Sequence, residues 1–160
     1  NNVFVGTDPR VPGYRARMGI VVGSNRSKRL PHYTKILNNT ILTGWLRRDG
    51  YAGSIRMSSR YGSVPRWKRP VVANNVIALL EQPSRVCNAS RQFLSNVVIR
   101  GRSCSPDGHV GPAGVDWRGR PVRGSALIDG ANRALAPATD ATGRRRGPAP
   151  DIGAHEYRGP

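Results

Sequence analysis

Asn74-Asn75-Val76-Ile77-Ala78-Leu79 is a doubled asparagine running into an aliphatic stretch. Three other segments repeat the pattern: Asn1-Asn2-Val3-Phe4-Val5-Gly6, Asn38-Asn39-Thr40-Ile41-Leu42-Thr43-Gly44 and Ser95-Asn96-Val97-Val98-Ile99-Arg100-Gly101. Their starts at 1, 38, 74 and 95 are separated by 37, 36 and 21 residues. Self-similarity at such a period is the mark of stacked structural units. Asn tolerates the left-handed backbone that a sharp corner between strands needs. At equivalent corners of stacked units, its side-chain amides can hydrogen-bond one another in a ladder. The spacing therefore predicts a solenoid whose aliphatic residues point inward.

Working outward, short β-branched runs recur between and beside the doublets: Gly19-Ile20-Val21-Val22, Ile36-Leu37, Ser54-Ile55-Arg56-Met57 and Val71-Val72. Each is bounded by Gly, Asn, Ser or Pro, which is strand patterning with turn punctuation. No window keeps a 3.6-residue apolar period, and Pro83 ends the most helix-like stretch, Asn74–Gln82. The fold class expected is all-β. A minimal coil takes about 20 residues, so coils of 36 or 37 carry insertions. These are Arg10–Arg17, Ser24–Tyr33, Trp45–Tyr51 and Ser58–Pro70, all rich in Arg, Lys, Tyr or Trp. They are expected to project from the surface, where loops carry function.

The net charge is +17, and it is unevenly spread. Residues 1–100 hold 17 Lys/Arg against three acids, while residues 101–160 hold nine against six. A field of this sign attracts polyanions: nucleic acid, acidic polysaccharide or anionic lipid. Of the 26 bases 23 are Arg, whose fork binds carboxylate and phosphate bidentately; a GC-rich coding bias would produce the same excess. Cations beside aromatic faces suit charged sugar rings and unstacked bases alike. The polyanion-binding candidates are Lys28, Arg29, His32, Tyr33, Arg47, Arg48, Arg60, Tyr61, Arg66, Trp67, Lys68 and Arg69. The competing reading is a solvated charged loop with Trp67 folded onto the coil.

After Gly101 the texture changes. Residues 102–124 read as an irregular Gly/Pro/Arg-rich loop, followed by a last apolar strand at Ser125–Ala131 and a polar approach to the chain's closing stretch. Cys87 and Cys104 flank the Ser95–Gly101 segment and are a disulfide candidate in a secreted chain. A bridge closing a loop of that size contributes roughly 3 kcal/mol; two unrelated buried thiols are the alternative. No apolar run approaches the roughly 20 residues of a membrane span.

An ordered set of residues now resembles a known family. Ser125, Ala126, Ile128 and Asp129 are followed by Thr139, Asp140, Gly143 and Arg146, then by Asp151, Ile152, Gly153, Ala154 and Glu156. Together with the Asn doublets this is similar to the C-terminal end of secreted bacterial right-handed parallel β-helix proteins, the pectate-lyase-like solenoids of choice-of-anchor type. One departure is Gly130, where Ala-Gly is commoner in the family. The resemblance implies an all-β, right-handed parallel β-helix of about four to six coils, with long surface loops and a C-terminal cap. The chain would be one continuous, N-terminally incomplete domain: coils over 1–101, a loop over 102–124, and last strand with cap over 125–160. Asn38, Asn39, Asn74, Asn75, Asn96, Asp129, Asp140, Arg146, Asp151, Gly153 and Glu156 are its structural residues. Arg146 is expected to pair with Asp140 or Glu156 and pin the cap. An acid/base or metal cluster of Asp151, His155 and Glu156 is the rival reading.

The family includes lyases, hydrolases, epimerases, adhesins and structural proteins, so fold does not fix function. Glycosidase chemistry needs two nearby carboxylates, and residues 1–100 offer only the scattered Asp8, Asp49 and Glu81. Calcium-assisted chemistry needs clustered acidic oxygens, and no zinc spacing or phosphate loop is present. No metal or cofactor is expected. A lyase working with Lys or Arg as base remains open, with Lys28, Arg29, His32 and Tyr33 or Arg66, Lys68 and Arg69 as candidate groups. The functional expectation is an extracellular, cell-surface or secreted module that binds acidic polysaccharide, with lyase-like activity as its enzymatic version. The alternatives are a non-catalytic structural or adhesive module and charge-driven association with nucleic acid. Expected partners are acidic polysaccharide or another polyanion, and either missing N-terminal coils or a partner chain covering the coil at residue 1.

Overall fold

A computed structural model describes residues 1–4, 20–23, 30–42, 55–80, 93–105 and 107–159. Its ten strands are β1 (Val3–Phe4), β2 (Ile20–Val22), β3 (Lys35–Leu37), β4 (Thr40–Ile41), β5 (Ile55–Met57), β6 (Val71–Ala73), β7 (Val76–Leu80), β8 (Phe93–Leu94), β9 (Val97–Gly101) and β10 (His109–Val110). They form two sheets. One has seven strands along the path β1-β4-β7-β5-β2, with β9 on β7 and β10 on β9; the other is β3-β6-β8. Every strand pairing is parallel.

The doublets divide their labour. The first residue makes the corner: Asn38, Asn74 and Ser95 have φ of 50°, 58° and 49°. Each lies between a strand of the small sheet and the next strand of the large one (β3 to β4, β6 to β7, β8 to β9). A single left-handed residue thus carries the chain from sheet to sheet, which Asn tolerates better than most side chains. The second residue makes a ladder. Asn2 donates its backbone N–H and its side-chain amide to Asn39 Oδ1 at 3.0 and 3.1 Å. Asn39 does the same to Asn75 Oδ1 at 2.9 and 3.0 Å, and Asn75 to Asn96 Oδ1 at 3.0 Å for both. The ladder holds the register Val3↔Thr40, Thr40↔Val76, Val76↔Val97.

Alternation along β4, β7 and β9 buries both faces of the middle of the large sheet, as parallel sheets require. Ile41, Ile77 and Val98 join Ile36, Val72, Phe93, Ile55 and Met57 in one core cluster. Val76 and Val97 point the other way and pack with Ala113, Leu127 and Ile152 from the C-terminal segment.

This arrangement corrects the expected fold. The described residues form two parallel sheets, and among them no closed right-handed solenoid is present. Burial is completed by layering: the face that a β-helix would turn to water is covered by residues 113–154. The closing stretch is therefore not a cap over the last coil. Gly153 lies against the large sheet, where an added Cβ would stand 2.7 Å from Thr40 Oγ1 and 3.0 Å from Val76 Cγ2, and its φ is +97°. The Gly153 N–H bonds the Asn74 carbonyl at 2.8 Å, and the Ala154 N–H bonds Thr40 Oγ1 at 3.0 Å. Asn38 donates its amide to the carbonyls of Asp151 and Gly153 at 3.1 and 3.3 Å. The corner asparagines thus also dock the segment that covers the sheet. The strand predicted at Ser125–Ala131 is a chain of turns.

Candidate functional site

Parallel pairing of β3 with β6 (Lys35↔Val71) brings together the loops that precede them. The first is residues 30–34. The second, residues 58–70, winds through two short 3-10 turns, Ser59–Ser63 and Arg66–Lys68. Ser58 caps the first turn by accepting from the Arg60 N–H at 3.3 Å, which satisfies a donor that a turn's start leaves open. Between the loops, the Val71 N–H bonds the Thr34 carbonyl at 2.8 Å and the Tyr33 N–H bonds the Lys68 carbonyl at 3.3 Å.

Two residues expected at the surface instead build this scaffold. Tyr61 is fully buried in the core between the sheets. Its hydroxyl donates to the Pro31 carbonyl at 2.5 Å, tying one loop to the other, and burial pushes its pKa up. Arg69 turns back on its own loop: Nε and Nη2 donate to the carbonyls of Val64 and Gly62 at 2.5 and 3.0 Å.

On this scaffold an aromatic and cationic surface is exposed. Tyr33 and Trp67 are 62% and 66% accessible. Their ring centroids lie 6.1 Å apart with planes inclined by 38°, and His32 meets Tyr33 edge-on at 6.2 Å. Lys68 Nζ sits 4.7 Å from the Trp67 centroid, within cation–π range. Trp67 is therefore not folded down onto the sheets. Arg60 is exposed nearby in sequence, and the Arg66 backbone lies in the second turn. Lys28, Arg29, Arg47 and Arg48 lie outside the described residues.

Sequence reading missed a third exposed ring. Trp117 is 74% accessible with the Arg118 guanidinium 4.4 Å from its centroid. The turn that presents it is organised by Asp116, which accepts from the backbone N–H groups of Arg118 and Arg120 at 2.8 and 2.9 Å and from Arg120 Nε at 2.8 Å. Burial raises the Asp116 pKa, but these bonds outweigh it and leave the group below its ordinary value. The signal was present in Asp116-Trp117-Arg118-Gly119-Arg120, an acid followed at four residues by a base around a Trp.

The C-terminal acids are occupied structurally. Arg146 and Glu156 form an ion pair with side chains 3% and 9% accessible, and Glu156 also accepts from the Asp151 N–H at 2.9 Å. Arg146 donates further to the carbonyls of Asp151, Gly153 and Ala154. Asp151 accepts the N–H groups of Asp129 and Tyr157 at 2.8 and 2.5 Å; burial, joined by the charges of Glu156 and Asp129, holds its carboxyl above the ordinary value. Asp140 takes the Thr142 hydroxyl and the Thr142 and Arg144 N–H groups, with Arg158 at 3.6 Å. Burial pushes Asp140 up, and these hydrogen bonds bring it net below its ordinary value. His155 is lowered chiefly by burial. Every carboxylate of the suggested Asp151–His155–Glu156 cluster is thus engaged by backbone or by Arg146. Among the described residues no group of three metal-capable side chains occurs.

Cys104 is disulfide-bonded; Cys87, the other cysteine of the sequence, lies outside the described residues. No described helix is long and apolar enough to cross a membrane. The chain matches no protein-family model, no curated protein and no solved structure.

Proposed function

We propose that the protein binds acidic polysaccharide outside the cell through the surface formed by His32, Tyr33, Trp67 and Lys68. The observation that carries this reading is the pair of exposed rings with an ammonium held against one of them. An apolar ring face is costly in water and suits the C–H face of a sugar, and the adjacent cation selects sugars that bear carboxylate or sulfate. The charge of residues 1–100, net +14, draws such a chain in. The bonded state of Cys104 fits an oxidising compartment, and residues 125–157 resemble the termini of secreted proteins. None of the described acids lies in the two loops that carry the rings, which removes the carboxylate pair of a glycosidase from this surface and leaves base-assisted lyase chemistry to the test below.

Retention on an alginate gel at physiological salt tests it, with dextran as the neutral control. Alginate is expected to retain the protein and dextran not, and Trp67→Ala to weaken retention about tenfold. Release of unsaturated, ultraviolet-absorbing products would replace binding by lyase activity. No retention would leave a structural or adhesive module. Equal retention of single-stranded DNA with steep salt dependence would indicate charge alone.

A further inference from the structure

We propose that Tyr33 is a ligand-binding residue held ready by a backbone conformation that works against the stability of the fold. This rests on the polysaccharide-binding reading above and adds to it the origin of the site's preorganisation. Among the described residues six non-glycine positions have positive φ: Tyr33, Asn38, Asn74, Ser95, Cys104 and Asp129. Five have short side chains with local reasons. Three are the sheet-to-sheet corners, Cys104 is disulfide-bonded, and the Asp129 N–H is held by Asp151 at 2.8 Å. Elsewhere the chain places Gly in this region, as at Gly23, Gly119 and Gly153. Tyr33, at φ 58°, is the one large side chain there. For a bulky residue this region is a true outlier, because Cβ crowds the backbone.

Burial of the ring offsets little of that strain. The ring is 62% accessible, so little apolar surface is gained by burying it. What the conformation does is aim the ring. The Tyr33 N–H reaches the Lys68 carbonyl at 3.3 Å, and the ring stands between His32 at 6.2 Å and Trp67 at 6.1 Å. The turn is fixed on both sides: the Pro31 carbonyl by the buried Tyr61 hydroxyl, and Thr34 by the Val71 N–H at the start of the β3–β6 pairing. Strained residues persist where their surroundings over-determine them, and they gather at binding sites. The two rings are set before ligand arrives, so less ordering is needed on binding.

Tyr33→Asn separates the two roles, since Asn accepts the left-handed region and lacks the ring. It is expected to raise the thermal midpoint by roughly 2–4 °C and to cut retention on alginate about tenfold. Tyr33→Phe keeps ring and strain, and is expected to leave the midpoint unchanged and retention within about twofold. A lower midpoint in Tyr33→Asn would make the ring structural and overturn the proposal. Unchanged retention in Tyr33→Asn while Trp67→Ala loses it would overturn it too, with the site itself left standing. Retention undiminished in both variants would remove the site and this proposal together.

Discussion

Between β1 and β9 one arrangement of hydrogen bonds is made three times, an Asn backbone N–H and side-chain amide both donated to the next Asn Oδ1. In residues 107–159 hardly any contact is made twice. That part has isolated bridges (Val115↔Pro121, Thr139↔Arg145), one short 3-10 turn and a set of acids each bonded in its own way. Both are dense with hydrogen bonds, so regularity is not what order requires. Repetition lets a neutral side chain specify position by stacking on its own kind. A segment without repeats needs charged groups with several acceptors or donors, here Asp116, Asp140, Asp151, Arg146 and Glu156. Five of the chain's nine acids do this work in the C-terminal part: those four and Asp107, which receives the Ser95 N–H and hydroxyl.

The largest effect should come from the middle of the ladder. Asn75 is fully buried, accepts two bonds from Asn39 and donates to Asn96 and to the carbonyls of Ile36 and Ala73. Asn75→Ala strands several buried groups at once and should destabilise by about 4 kcal/mol, read by denaturant unfolding. A loss under about 1 kcal/mol would mean that strand pairing alone holds the register. In the irregular region Glu156→Ala leaves the buried Arg146 without its carboxylate. About 3 kcal/mol is expected, near the low end for a broken buried pair, because Arg146 keeps three carbonyls. If amide exchange showed protection lost equally in the sheets and in residues 107–159, the two regions would be one cooperative unit and the contrast would fail.

Acid should give the smallest and most selective effect. His155 is lowered by burial, so its contribution is complete above its ordinary value of 6.5 and fades as pH falls below that. Asp140, Asp107 and Asp116 lie below their ordinary value of 3.8. Their stabilisation is present above that value and is lost as pH falls through the depressed folded-state range. Asp151 is raised and acts oppositely, its buried charge being relieved on protonation. Protection should therefore decline first in residues 107–159, beginning below about pH 6.5. Earlier loss in β4 and β7 would contradict it.

The corners were legible because the preference of Asn for left-handed backbone is local, and the register followed from spacing alone. The layered architecture was not. Asn38 finds the Asp151 carbonyl across 113 residues, and backbone carbonyls carry no signature in sequence. Thr40, Val76 and Val97 read the same whether an outer face meets water or a covering segment. At the candidate site Trp67 and Lys68 were legible as residue types, while Tyr61, expected at the surface, is buried and Arg69 is half-buried and bonded to its own loop. A Tyr and an Arg in a basic loop look alike whether they face solvent or staple the loop. The conformation of Tyr33 had no sequence signal, since Tyr is among the residues least expected there.

The ladder has one more property. Its bonds are the same whether the intervening chain is 37, 36 or 21 residues long, and the next pairing, Val97↔His109, spans only 12. The Asn column counts corners, not residues. Three lengths of intervening chain reach one ladder geometry, in keeping with the small cost that loop closure places on added length. The column thus fixes where each segment returns to the stack, while a core contact such as that of Tyr61 fixes part of the path that residues 58–70 take between returns.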